Sequence, residues 1–83
     1  MRPRRLALSD AFALVLKRHR TAKKLSKHAL AQKAGLHQTY IGLIERGASN
    51  PTLDAASAIA EALEIPLSEL VAESERRRAL PRS

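Results

Sequence analysis

Hydrophobic residues in this 83-residue chain recur every three or four positions, in segments separated by glycine, proline or polar runs. This spacing is typical of amphipathic helices, and no segment alternates strictly enough for a strand. We therefore expect an all-α fold of five short helices, whose apolar faces carry Phe12, Val15 and Leu16; Leu30, Ala31 and Ala34; Ile41 and Ile44; Leu53, Ala56, Ile59, Ala60 and Leu63; and Leu67, Leu70 and Val71.

Residues that favour helix ends flank these segments. Hydroxyl side chains can accept a free amide N–H of the first turn, and glycine allows the left-handed conformation that ends a helix. We predict N-caps at Ser9, Ser26 and Thr52, stops at Gly35 and Gly47, and a fifth helix opened by Pro66.

Residues 26–47 form the stretch around which the chain is organised, because two short helices meet there at one tight turn. Ala31 and Gly35 are small at the point where the two helices must approach closely. The second helix begins at His37 or Gln38 and buries Ile41 and Ile44. This arrangement is typical of a helix-turn-helix, whose second helix enters the DNA major groove.

Charge is distributed unevenly along the chain, whose net charge is +7. Residues 1–50 contain eleven of the fifteen Lys and Arg residues. The same segment contains only two of the eight acidic residues. A basic half that contains the two short helices suits a phosphate-binding face, and a merely soluble basic surface is the alternative. Phe12 and Tyr40 are the only aromatic residues, so stacking on single-stranded bases is not expected.

Several functional classes are disfavoured by what the sequence lacks. The absence of cysteine excludes disulfides and thiolate metal sites, and the three histidines have no metal-like spacing. No apolar run approaches the ~18 residues of a membrane span, so we expect a cytoplasmic protein without membrane contact. Without a triad arrangement or a glycine-rich phosphate loop, neither an enzyme nor a cofactor is expected.

Residues 32–36 (Gln-Lys-Ala-Gly-Leu) and 41–47 (Ile-Gly-Leu-Ile-Glu-Arg-Gly), followed by Asn50-Pro51, resemble the phage-repressor-like helix-turn-helix family (Xre family, Cro-like). The resemblance extends from about Phe12 to Val71. It implies a compact five-helix bundle of the lambda-repressor-like DNA-binding type. We accordingly expect a basic arm over 1–8, the DNA-binding domain over 9–73 and a charged tail over 74–83.

The outward face of the predicted third helix carries the candidates for base recognition: His37, Gln38, Thr39 and Leu43. The Gln38 amide can donate to and accept from an adenine edge, which makes it the best base reader. Leu43 suits a thymine methyl group, although partial packing in the protein explains it equally well. Gly42 lowers helix propensity by about 1 kcal/mol relative to alanine, so either the backbone approaches DNA there or the position bears no helical strain.

Five further residues are predicted to contact DNA phosphates. Lys27 would add charge at the start of the second helix, where backbone amides attract anions. Tyr40 would donate its hydroxyl, with packing of its ring against the first helix as the alternative. The resemblance implies phosphate contacts for Arg46, Ser49 and Asn50 in the polar loop that follows.

The resemblance also implies an ion pair between Arg20 and Glu45 that ties the first helix to the third. His19 falls at a position that is usually apolar in relatives. We expect it to be a packed, hydrogen-bonded histidine rather than a metal ligand.

These expectations favour a sequence-specific DNA-binding transcriptional regulator, a repressor that binds double-stranded DNA at an inverted-repeat operator as a homodimer. Because the chain has no room for a separate dimerisation domain, the candidate interface residues are Ile65, Leu67, Val71 and Leu80, which core packing explains equally well. The alternative is an antitoxin or other protein-interaction module, in which residues 73–83 contact a protein partner.

Overall fold

The computed structural model describes residues 7–79, which form five α-helices and no strand. The helices are α1 (Leu8–Ala22), α2 (Lys27–Ala34), α3 (Gln38–Glu45), α4 (Leu53–Leu63) and α5 (Leu67–Ala79). The prediction of an all-α, five-helix fold is confirmed. In this part of the chain, no helix combines the length and the hydropathy needed to cross a membrane.

The predicted caps of α2 and α4 are confirmed. The Ala29 N–H donates to Ser26 Oγ at 2.9 Å, and the Ala55 N–H donates to Thr52 Oγ1 at 3.0 Å. Gly35 ends α2 with a φ of +70°, a left-handed conformation in which glycine lacks the steric penalty of a Cβ atom. The beginning and end of α2 therefore follow from local interactions.

The predicted N-cap of α1 is wrong. Ser9 lies inside the helix, which begins at Leu8 with Ala7 at the cap position and no side-chain cap hydrogen bond. The Asp10 and Ala11 N–H groups donate to the Ala7 carbonyl instead. Burial of Ala11 and Phe12 holds the first turn against the core, so the helix does not depend on a hydroxyl cap.

The core is aliphatic apart from Phe12, and all five helices contribute side chains to it. Each fully buried Leu or Ile side chain contributes about 1.5–3 kcal/mol through loss of contact with water. α1 packs mainly against α5, and α2 packs against α3 and α4. The large side chains enclosed by this packing are Phe12, Val15, Leu16, Leu30, Ile41, Ile44, Ile59, Leu63 and Leu70.

Leu53 departs from the predicted apolar face of α4. It is 77% exposed, whereas Ile59 and Leu63 are fully buried. Leu53 is the first residue of α4. Helical spacing therefore predicts the face of α4 on which Leu53 lies, but not whether that position is buried.

The charged segment predicted to form a tail from residue 74 continues α5 as far as Ala79. Ser74 is fully buried and donates its hydroxyl proton to the Leu70 carbonyl at 2.7 Å. Glu73 is half-buried and contacts Arg18 and His19 on α1. These contacts attach the last turns of α5 to α1.

Candidate nucleic-acid interface

The turn between α2 and α3 fixes the angle at which α3 leaves the bundle. The Leu36 N–H donates to the Ala31 carbonyl at 2.9 Å, and Leu36 packs against the core. Ile41 and Ile44 are 0% and 1% exposed, which orients the opposite side of α3 outward. The two helices therefore have the helix-turn-helix arrangement.

The predicted base-contacting residues occupy this outward side. His37, Gln38 and Thr39 are exposed, and Leu43 is half-buried. Residues four apart share a helix face, so Thr39 and Leu43 lie on one line. The structure brings the four candidates together at the first turns of α3, where the three polar ones are not covered by any element of residues 7–79.

The predicted phosphate contacts lie at the two ends of this surface. Lys27 is the first residue of α2 and is half-buried. Arg46 and Asn50 are exposed and Ser49 is half-buried, all in the loop that joins α3 to α4. The outward face of α3 is therefore flanked by cationic and polar side chains.

Tyr40 has both a packed ring and a hydroxyl that reaches the loop before α4. Its ring is half-buried and packs against the core, while its hydroxyl oxygen accepts the Thr52 N–H at 3.2 Å. That bond uses a lone pair, so the hydroxyl proton is still available to a phosphate oxygen. Tyr40 thereby links α3 to the start of α4.

Arg20 and Glu45 form the ion pair that the resemblance implied. Arg20 Nε and Nη2 donate to the two carboxylate oxygens of Glu45 at 2.7 and 3.0 Å. Arg20 Nη1 also donates to the Leu25 carbonyl at 2.8 Å. The hydrogen bonds to Glu45 raise the pKa of the Arg20 guanidinium, which stays charged throughout the ordinary pH range.

Sequence reasoning missed the partner of His19. Its Nε2 lies 2.9 Å from Glu73 Oε1, and Arg18 contacts the same carboxylate. Burial, followed by the charge of Arg18, lowers the pKa of His19, so the neutral ring donates its Nε2–H to Glu73. The expectation of a packed, hydrogen-bonded histidine was correct, but no local signal identified the acceptor 54 residues away.

Three of the four candidate dimer residues lie near the start of α5, with Ile65 just before the helix and Leu67 and Val71 within it. Ile65 and Leu67 are half-buried against the core and Val71 is also half-buried, while Leu80 lies outside the described residues. Over residues 7–79, no three His, Asp or Glu side chains cluster as a metal site would require.

Comparison with known proteins gives consistent matches. The helix-turn-helix family HTH_3 matches residues 16–70. Control protein C.SmaI of Serratia marcescens is 34% identical over 64 residues, covering 77% of this chain and 76% of that protein. The immunity repressor protein of Bacillus phage phi105 is 41% identical over 58 residues, covering 70% of this chain and 40% of the repressor.

A solved structure of the restriction-modification controller protein C.Esp1396I, bound to a 19-base-pair DNA duplex, superimposes with a TM-score of 0.79 at 28% identity. The match covers 87% of this chain and 96% of that one. It extends over the helix-turn-helix and the flanking helices. The chain belongs to the HTH_3 family of helix-turn-helix proteins, of the phage-repressor-like type.

Proposed function

We propose that this protein is a sequence-specific DNA-binding transcriptional regulator, and that α3 is its recognition helix. The observation that carries the proposal is the two-sided character of α3. Its inner side is buried at Ile41 and Ile44, while Gln38 and Thr39 extend from its N-terminal turn into solvent. Side chains at this end of a recognition helix are the ones that reach base edges in the major groove.

Gln38 is the principal base reader in this proposal, because its amide offers a donor and an acceptor to the edge of adenine. Thr39 offers a hydroxyl group and a methyl group to the neighbouring base pair. His37 and Leu43 complete the base-reading surface, His37 with a ring nitrogen and Leu43 with apolar contact to a thymine methyl.

Lys27, Tyr40, Arg46, Ser49 and Asn50 would hold the phosphates on both sides of the groove. Such contacts fix the position of α3 on the duplex and carry no sequence information. The Tyr40–Thr52 hydrogen bond supports this assignment because it orients the hydroxyl beside the loop that carries Ser49 and Asn50.

In the proposed homodimer, the second copy of the chain would cover Ile65, Leu67, Val71 and Leu80. The dimer would bind an inverted-repeat operator and would repress transcription by blocking a promoter. Ile65, Leu67 and Val71 keep part of their apolar surface exposed in the single chain. Two helices related by a two-fold axis contact half-sites about one helical turn apart. The names of the similar phage repressor and control protein support the regulatory role.

The alternative role as an antitoxin receives less support. In that role residues 73–83 would reach a protein partner. Glu73 already contacts Arg18 and His19, and Ser74 is fully buried.

Selection of random duplex DNA against the purified protein, at about 0.15 M salt, tests the proposal. We expect an enriched inverted repeat. Gln38→Ala should lose discrimination at one base pair per half-site by about 1–3 kcal/mol. Gln32→Ala is the matched control, since Gln32 is an exposed glutamine on α2. An unchanged motif with Gln38→Ala would refute base reading by this residue, and enrichment of no motif would refute the proposed function.

A further inference from the structure

A basic groove lies between α1 and α5, away from the proposed DNA-binding face. Its volume is about 560 Å³. Four cationic side chains, Lys17, Arg18, Arg76 and Arg77, line the groove together with the apolar Leu14 and Val15. None of these residues belongs to the set proposed to contact DNA.

The position of the groove follows from two arginines on α1. Arg18 contacts Glu73 on α5, whereas Arg20 contacts Glu45 on α3. Residues two apart in an α-helix point about 200° apart around its axis. The groove and the recognition helix therefore lie on opposite sides of α1, and each can be occupied without blocking the other.

The groove has an excess of positive charge. In the described part of the chain, Glu73 is the only acidic side chain that lines it, and Glu73 is already engaged by Arg18 and His19. Lys17, Arg76 and Arg77 are exposed. The groove therefore presents three positive charges that Glu73 does little to neutralise.

Leu14 gives the groove its second property, an apolar contact surface. It is 42% exposed, one of three large hydrophobic residues that the described chain leaves on its surface. It lies one helical turn from Lys17 and Arg18, so apolar and cationic surfaces are adjacent.

We propose that this groove binds an acidic amphipathic segment of a partner protein, such as a helix with carboxylates on one side and leucines on the other. The carboxylates would contact Lys17, Arg76 and Arg77, and an apolar side chain would cover Leu14. A phosphodiester backbone has no apolar side chain comparable to leucine that would cover Leu14. The basic residues Arg2, Arg4, Arg5 and Arg82 of the sequence have the same charge as the groove, which disfavours their segments as its occupant.

Fluorescence anisotropy with two labelled peptides tests this proposal. One peptide of about 15 residues carries glutamates with leucines at helical spacing, a length that permits a helix. The second peptide has serines in place of the leucines. The protein should bind the first peptide. The double variant Lys17→Glu/Arg77→Glu should weaken this binding about tenfold or more, because like charges then meet across the interface.

The double variant Lys23→Glu/Lys33→Glu is the matched control, because it changes the net charge equally at exposed lysines outside the groove. Leu14→Ser should also weaken binding of the first peptide and leave affinity for the selected DNA unchanged. Circular dichroism melts verify that each variant is folded. Since DNA selection uses the other face, failure of this proposal is distinguishable from failure of the proposed function.

Four binding results would overturn the proposal, as would a fifth result on self-association. The four are absence of binding by the first peptide, equal binding of the serine peptide, equal weakening in the control variant, and loss of DNA affinity in Leu14→Ser. Equal binding of the serine peptide would identify a general polyanion site. Loss of self-association in Leu14→Ser, measured by sedimentation, would identify the groove as an interface between copies of this chain and would also overturn the proposal.

Discussion

Arg20 on α1 and Glu45 at the end of α3 form a two-pronged ion pair with side chains that are only 10% and 3% exposed. The pair joins the first helix to the last residue of the recognition helix. Its desolvation offsets much of the attraction, so its main effect is to define the orientation of α3. A substitution that removes only one of the two side chains would leave the other as a buried charge without its partner.

Arg20→Ala should therefore lower the free energy of unfolding by about 3–5 kcal/mol. Arg20→Lys should cause a smaller loss, because lysine keeps the charge but not the planar fork. Urea denaturation measures both. Arg18→Ala is the control, since Arg18 pairs with Glu73 while 64% exposed and should contribute about 1 kcal/mol or less. A smaller loss for Arg20→Ala than for Arg18→Ala would contradict the structural role of the Arg20–Glu45 pair.

Lys24 and Glu64 are the two residues other than glycine with positive φ in the described chain, at 58° and 60°. Left-handed backbone is sterically costly when a Cβ atom is present. Lys24→Gly and Glu64→Gly should each raise the free energy of unfolding by about 0.5–1 kcal/mol. Lys23→Gly, at a φ of −88°, should bring no gain. Thermal melts showing equal effects of Lys23→Gly and Lys24→Gly would refute this explanation.

Two glycine-to-alanine substitutions should have opposite effects on stability. At Gly42 an added Cβ would lie 3.5 Å from Arg46 Nη1, an ordinary contact, so alanine should stabilise α3 by about 0.5–1 kcal/mol. At Gly35 the φ of +70° opposes alanine, which should destabilise by about 1–2 kcal/mol. Denaturant melts measure both changes. Destabilisation by Gly42→Ala would contradict this prediction, because it would show that the space beside Arg46 does not accommodate a methyl group.

Stability should depend on pH through His19. Burial and Arg18 lower its pKa in the folded chain from 6.5, so folding favours the neutral ring. This contribution is fully present above pH 6.5 and is lost as the pH falls from there through the lower folded-state pKa. His19→Gln should remove this part of the pH dependence, measured by urea denaturation across the range. The wild-type protein and the His19→Gln variant both retain the exposed His28 and His37, so a difference between them reports on His19. A wild-type protein that gains stability on acidification relative to His19→Gln would contradict the prediction.

Salt dependence of DNA binding tests the phosphate role proposed for Lys27. Lys27→Ala should weaken binding to all sequences alike and reduce the log–log salt slope by about 1. Lys33→Ala, at an exposed position on the same helix, should leave the slope unchanged. Anisotropy titrations at several salt concentrations measure both slopes. A Lys27→Ala effect confined to one DNA sequence would indicate base recognition instead.

Interactions within a few residues were predictable from the sequence. Ser26, Thr52 and Gly35 act on the backbone of their own turns, so their residue types indicate the helix ends. The periodic burial of Ile41 and Ile44 likewise placed Gln38 and Thr39 outward. The pairing of Arg20 with Glu45 came from the family resemblance, because nothing in the local sequence joins residues 25 positions apart.

Only the tertiary structure decided which residues meet across helices and that α5 continues to Ala79. Ser74 is buried and Glu73 is engaged because α5 packs along α1, although their segment is strongly charged. Leu53, the first residue of α4, is exposed although helical spacing places it on the apolar face. The basic groove exists because the same packing places Arg76 and Arg77 beside Lys17. Helical periodicity determines the direction of a side chain, whereas its burial and its partners depend on the neighbouring helix.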